Sequence, residues 1–101
     1  VLDVGGGDGT FLSAVHRRAP AVALRLFDLP AVVAHAARNP ALPDSVVIHG
    51  GRFPDDPLPG GADLVTLVRV VHDHDDAVVR ALLRRVHEAL APGGTVMIAE
   101  P

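Results

Sequence analysis

The first ten residues, VLDVGGGDGT, restrict the fold more than any other segment. Residues 1–4 form an apolar run that breaks into glycines, and the following stretch to Arg18 carries Phe11, Leu12 and Val15 at helical spacing, with Pro20 beyond as a stop. A strand that turns into a helix through glycines is the opening unit of a parallel sheet covered by helices. Asp3, Gly5, Gly7 and Gly9 are spaced D-x-G-x-G-x-G. Glycines here allow a tight turn and a close backbone approach to a ligand, and the start of the helix offers free N–H groups to negative or polar ligand atoms. The dinucleotide fingerprint G-x-G-x-x-G needs its third glycine at position 10, which is Thr10; Gly9 comes one residue early. A phosphate-binding P-loop needs Gly-Lys-Ser/Thr, and the chain has no lysine. An ordinary strand-to-helix turn is the plain alternative.

The rest of the chain repeats the alternation. Residues 22–27 read as a strand ending at Asp28, Pro30 opens a helix through about Arg38 that Asn39-Pro40 closes, and residues 46–49 read as a third strand. Residues 50–61 hold four glycines and three prolines and read as a loop. Residues 64–71, nearly all apolar, read as a fourth strand buried on both faces. Asp75 or Asp76 caps a helix whose apolar stripe is Val79, Leu82, Leu83, Val86 and Leu90, with Arg80, Arg84, Arg85 and Glu88 mostly on a solvated face. Pro92-Gly93-Gly94 ends that helix, and residues 95–100 form a fifth strand. The expected architecture is α/β, a Rossmann-like core with a doubly wound parallel sheet in the order 3-2-1-4-5. Its switch point between strands 1 and 4 opens a crevice beyond the carboxyl ends. Residues 50–61 offer no helix for the third crossover, which is the weakest part of this layout.

Composition removes several functional classes. Hydrophobic residues make up 49% of the 101, too many for a disordered chain, and no apolar run approaches the roughly 20 residues of a membrane span. With no Cys there are no disulfides and no thiolate metal site. The net charge of −3, scattered arginines and the absence of Trp and Tyr argue against nucleic acid as a partner. The chain begins at Val1 inside an apparent strand and ends at Pro101 just after an apolar run, so it reads as one domain, residues 1–101, of a longer enzyme cut at both ends, with cytoplasmic localisation expected.

The glycine spacing resembles the first motif of class I methyltransferases. LRLFDLPAVV, HGGRF, LVRVVHDHDD and APGGTVMIAEP follow in the order found in the plant- and bacterial-type O-methyltransferases, and the wording of FDLPAVV, RVVHDHDD and PGGTVMIAEP is similar to the carotenoid hydroxyl methyltransferases of phototrophic bacteria. The resemblance covers essentially the whole chain and implies S-adenosyl-L-methionine as cofactor. It implies that Asp3, Gly5, Gly7 and Gly9 hold the methionine end, that Asp28 binds the ribose hydroxyls, and that Leu29, Gly51, Arg52, Phe53 and Arg69 complete the cofactor site. His72 matches the family's base and Glu100 the acid that orients it. Relatives often carry Asp-Met where Arg52 and Phe53 stand, and Trp where His74 stands, so the adenine contacts must differ here. The resemblance further implies a small hydroxyl-bearing substrate and a homodimer formed through a region outside this chain. Peripheral membrane contact is compatible with a carotenoid acceptor.

The residue chemistry points the same way without the family. Asp28, the glycines, His72 and Glu100 all fall at carboxyl ends of strands 2, 1, 4 and 5, which the expected order places side by side. A carboxylate accepts two hydroxyl bonds at once, although Asp28 before Pro30 also suits a helix cap. Phe53 either packs on a flat ring or fills the core. A neutral imidazole accepts a proton at neutral pH, and a neighbouring carboxylate fixes its tautomer. A phenol hands over its proton readily; for an aliphatic alcohol proton loss must come late, alongside C–O bond formation. Three alternatives stand beside this one: a metal site built from His72, His74 and the adjacent Asp residues, a methyltransferase of the same fold acting on nitrogen or carbon, and a non-catalytic binding module. His16, His35, His49 and His87 have no supporting context.

Overall fold

A computed structural model of the chain describes residues 1–100; Pro101, the last residue of the PGGTVMIAEP motif, lies outside the described residues. The elements are β1 (Leu2–Val4), α1 (Thr10–Arg18), β2 (Arg25–Asp28), α2 (Pro30–Ala36), β3 (Val47–Gly50), β4 (Ala62–Val68), a single 3₁₀ turn (Val71–Asp73), α3 (Asp76–Ala89) and β5 (Leu90–Ala99). All strand pairs are parallel, and the sheet runs β3-β2-β1-β4-β5, the order expected from the alternation. Three layers follow from the period of two along each strand. In β2, Leu26 belongs to one core with Leu12, Leu24, Ala36, Leu42 and Val46, under α1 and α2. Its neighbour Phe27 belongs to the other, with Val65, Leu67, Leu82 and Val86, under α3.

The start of β2, the end of β4 and the α3–β5 junction differ from the sequence expectation for physical reasons. Strand β2 starts at Arg25 rather than residue 22: Val22 N–H donates to the Ala19 carbonyl at 3.1 Å in a turn after α1, and the paired register begins with Leu2↔Arg25 and Arg25↔Val47. Strand β4 stops at Val68 rather than residue 71. Arg69 adopts a left-handed backbone (φ 58°), which breaks the strand, and Val70 then turns inward to join the α3-side core. At the other end, α3 stops at Ala89 and β5 begins at Leu90, so Pro92-Gly93-Gly94 lies inside the strand. The register jumps from Ala62↔Leu90 to Leu64↔Thr95, so these residues form a bulge in β5. Leu90 therefore packs on the core from the sheet, not from the helix stripe.

Strand β5 is one edge of the sheet, and it leaves Val96, Met97 and Ile98 exposed at 37%, 38% and 46%. An apolar edge with unpaired backbone groups is a template for association. Expressed by itself, the 101-residue chain is expected to self-associate, and Ile98→Lys should shift it toward monomer in size-exclusion chromatography. A wild-type chain that elutes as a monodisperse monomer would contradict this.

Candidate active site

The glycine loop follows β1 and is stitched to its surroundings on several sides. Gly5 N–H donates to the Phe27 carbonyl at 2.8 Å, which ties the loop to β2. Gly7 N–H donates to Asp28 Oδ2 at 2.9 Å. Asn39 Nδ2, from the segment after α2, donates to the Asp8 carbonyl at 2.9 Å. Asp8 Oδ1 accepts from Thr10 N–H and Oγ1 at 3.1 and 2.6 Å, a local turn just before α1, whose N-cap is Gly9. Gly9 lies against Leu42.

Gly6 is the tightest point. A Cβ there would come within 2.2 Å of Leu26 Cδ1 and 2.4 Å of Asp3 Oδ2, distances no side chain tolerates. Asp3 is therefore sealed beneath the loop, 1% exposed. Its Oδ1 accepts from Thr66 Oγ1 at 2.7 Å, while its Oδ2 is buried with no partner among the described residues. Burial is the main cause that pushes the Asp3 carboxyl up to about 6; the Thr66 hydrogen bond opposes this and the Asp28 charge adds to it. Above the loop lies a cleft of about 300 Å³, lined by Asp3, Gly5, Gly6, Phe11, Val68 and Arg69. A buried acceptor left unsatisfied is costly, and this one belongs to one of the residues that line the cleft.

Asp28 closes β2 with both oxygens engaged, Oδ1 accepting from Leu29 N–H at 2.7 Å and Oδ2 from Gly7. It does not cap α2, whose N-cap is Leu29. Leu29 itself is 39% exposed beside it. Gly51 N–H donates to the Asp28 carbonyl at 3.0 Å, and Gly51 is packed against the Phe27 ring. Arg52 is exposed, its N–H held by Asp56 Oδ2 at 2.8 Å. The Phe53 ring sits between Phe27 and His74, with centroids 6.3 and 5.8 Å away, the second edge-on.

The turn after β4 delivers the imidazole. His72 Nδ1 lies 2.6 Å from Glu100 Oε2, and Glu100 Oε1 accepts from Val71 N–H at 3.0 Å. Both carboxylate oxygens thus anchor the 3₁₀ turn, and His72 presents Nε2 outward, 3.2 Å from Asp73 Oδ1. The HDHDD segment is divided among different neighbours: His72 faces Glu100, His74 packs on Phe53, and Asp75 caps α3 by accepting from Val78 N–H at 3.0 Å.

The structure therefore gathers Asp3, Gly5 and Arg69 around the cleft, with Gly7 and Asp28 joined at its β2 side, and pairs His72 with Glu100 at the ends of β4 and β5. Arg52 stands apart on the surface, Gly51 packs on the Phe27 ring, and the half-buried Phe53 ring lies in the β3–β4 loop between Phe27 and His74. Four residues were missed. Thr66 was signalled as the one polar residue in LVTLV, and Gly6 by the unbroken glycine run. Asn39 and Arg85 gave no signal, because their partners are backbone carbonyls distant in sequence.

An O-methyltransferase domain family model matches residues 1–101. The chain belongs to this family. Demethylspheroidene O-methyltransferase of Cereibacter sphaeroides is 54% identical over 99% of the chain, which covers 27% of that enzyme. Human N-acetylserotonin methyltransferase in complex with S-adenosylmethionine superimposes with a TM-score of 0.86 at 34% identity, over 96% of this chain and 29% of that one. An O-methyltransferase from neocarzinostatin biosynthesis, in complex with S-adenosylmethionine and 2-hydroxy-5-methyl naphthoic acid, gives 0.87 at 37% identity, over 96% and 30%. The chain thus spans under a third of the length of these relatives.

The raised Asp3 value makes a pH prediction. The unfolded carboxyl ionises near 3.8 and the folded one near 6, so the folded state binds more protons between them. Stability is full below the lower value, falls as pH rises across the window by roughly 3 kcal/mol, and is level above it. Asp3→Asn should flatten this slope in denaturant unfolding between pH 4 and 7; an unchanged slope would contradict the assignment.

Proposed function

We propose that the protein carrying this chain transfers a methyl group from S-adenosylmethionine to a hydroxyl oxygen on a small hydrophobic molecule, with His72 as the base. The observation that carries this reading is the 2.6 Å His72–Glu100 pair at the ends of β4 and β5. It stands just beyond Arg69, which lines the cleft over the glycine loop.

The residues fit the cofactor. Asp3 Oδ2, buried and unpartnered against the cleft, is a ready acceptor for a cationic amino group. Asp28, at the end of the adjacent strand, has the acceptors for a pair of ribose hydroxyls, at the expense of its bond to Gly7. Phe53 and its edge-on neighbour His74 offer a flat apolar contact for adenine. When bound, S-adenosylmethionine would supply an electrophilic methyl group on a sulfonium sulfur, the C–S bonding pair staying on sulfur as S-adenosylhomocysteine leaves.

The chain's own residues supply alignment and the proton acceptor. Glu100 accepts from His72 Nδ1–H, which leaves the lone pair on Nε2. The acceptor hydroxyl takes Asp73's place at Nε2, and its proton passes there while the O–H electron pair remains on oxygen for the new bond to carbon. Glu100 steadies the imidazolium. Once the methylated product departs, Asp73 regains its place 3.2 Å from Nε2 and, with its side chain 65% exposed, takes the proton and passes it to water. General-base help of this kind is typically worth 10²–10⁴-fold. For the acceptor, a hydroxycarotenoid is supported by the 54% identity to demethylspheroidene O-methyltransferase over 99% of the chain.

Two substitutions in the whole protein test the reading. His72→Ala should lower kcat on the hydroxyl acceptor by about 10²-fold or more while S-adenosylhomocysteine still binds in calorimetry. Retained kcat would remove His72 as base and favour nitrogen or carbon methylation. Asp28→Ala should weaken S-adenosylhomocysteine binding by about tenfold or more, the loss of charge-assisted hydrogen bonds to hydroxyls. Unaltered affinity would contradict the ribose assignment.

A further inference from the structure

The loop between β3 and β4 has no helix of its own, yet it carries Phe53. Two sets of bonds hold its shape. Asp56 closes it on itself, its N–H donating to the Arg52 carbonyl at 2.7 Å while its Oδ2 accepts from Arg52 N–H at 2.8 Å. The other set comes from outside. Arg85, on the face of α3 that the arginine pattern marks as solvated, reaches down to the loop instead. Its Nε donates to the Pro54 carbonyl at 2.9 Å and its Nη2 to the Asp55 carbonyl at 2.7 Å. The remaining Nη1 lies 3.5 Å from Glu88 Oε2, one turn along the helix. The side chain is only 30% exposed. A planar guanidinium gripping two successive carbonyls fixes their orientation as well as their position, which an ammonium on a flexible stem does not.

The geometry points to Arg85 as a positioning residue for nucleotide binding. It acts through the backbone of residues 54 and 55 on the ring of Phe53, which that backbone holds between Phe27 and His74. Among the described residues Arg85 makes no hydrogen bond to the glycine loop or to the His72–Glu100 pair, so its effect falls on the nucleotide end of the site. Asp75, the N-cap of α3, follows His74 directly. The helix that follows the His72 turn therefore sets the Phe53 loop from its third turn. This inference rests on the proposed S-adenosylmethionine site.

The test is calorimetry with S-adenosylhomocysteine and steady-state kinetics on the whole protein for wild type, Arg85→Met and Arg85→Lys. Arg85→Met keeps the aliphatic stem and so guards against loss of packing. The expected result is a rise in both the S-adenosylhomocysteine Kd and the S-adenosylmethionine KM of about tenfold in Arg85→Met, with an intermediate rise in Arg85→Lys and kcat at saturating cofactor within about twofold of wild type. A Kd and KM equal to wild type in both variants, or a fall confined to kcat, overturns the positioning role while leaving the site itself standing. A wild-type protein that does not bind S-adenosylhomocysteine overturns the proposed site, and this inference with it.

Discussion

The crowding at the end of β1 governs the rest of the structure. Gly6 passes over Asp3 and Leu26 at distances that exclude any side chain, and the chain can turn from strand to helix only because nothing projects there. Below that contact, a carboxylate is held out of water with one oxygen paired to Thr66 and the other unpaired. An arrangement that leaves a polar atom unsatisfied in the interior costs stability, and small cores have little stability to lose. Its persistence makes sense where a ligand completes the set of bonds. The loop above it is held by its neighbours more than by itself: the Phe27 carbonyl, the Asp28 carboxylate and Asn39 each take one point of it.

From that point the site divides along the sheet. The ends of β1 and β2 present acceptors and backbone N–H groups, suited to a polar, partly cationic ligand. The ends of β4 and β5 present the imidazole and its carboxylate partner, suited to proton transfer. Parallel topology puts residues 28 positions apart, His72 and Glu100, within 2.6 Å, because β4 and β5 run the same way and pair through Val68↔Ala99. The left-handed backbone at Arg69 is what bends the chain off β4 so that His72 meets Glu100; such a conformation in a non-glycine residue carries a cost of order 1–3 kcal/mol and is concentrated at functional sites.

The sheet order was legible from the alternation of apolar runs and glycine or proline breaks, because each strand is short, apolar and bounded by residues that cannot continue it. The boundaries at β4 and β5 were not. Arg69 has no local signal for a left-handed turn, and Pro92-Gly93-Gly94 reads as a helix stop until β4 is present to show that it bulges out of a paired strand. In the candidate site, Asp28, His72 and Glu100 were conspicuous as carboxylates and an imidazole at strand ends, whereas Asp3, in the middle of β1, was signalled only by the resemblance of the glycine motif. Arg85 was not: three arginines and a glutamate on one helix read as a solvated face, and only the path of the Phe53 loop shows that one of them turns inward to carbonyls.

The account rests on the buried oxygen of Asp3 being one end of a nucleotide site. A crystal structure of the whole protein with S-adenosylhomocysteine tests this most directly. The account predicts the ligand's amino group within hydrogen-bonding distance of Asp3 Oδ2 and its sulfur on the His72 side of the cleft. A ligand bound elsewhere, with Asp3 Oδ2 still unpartnered beneath Gly6, would contradict it.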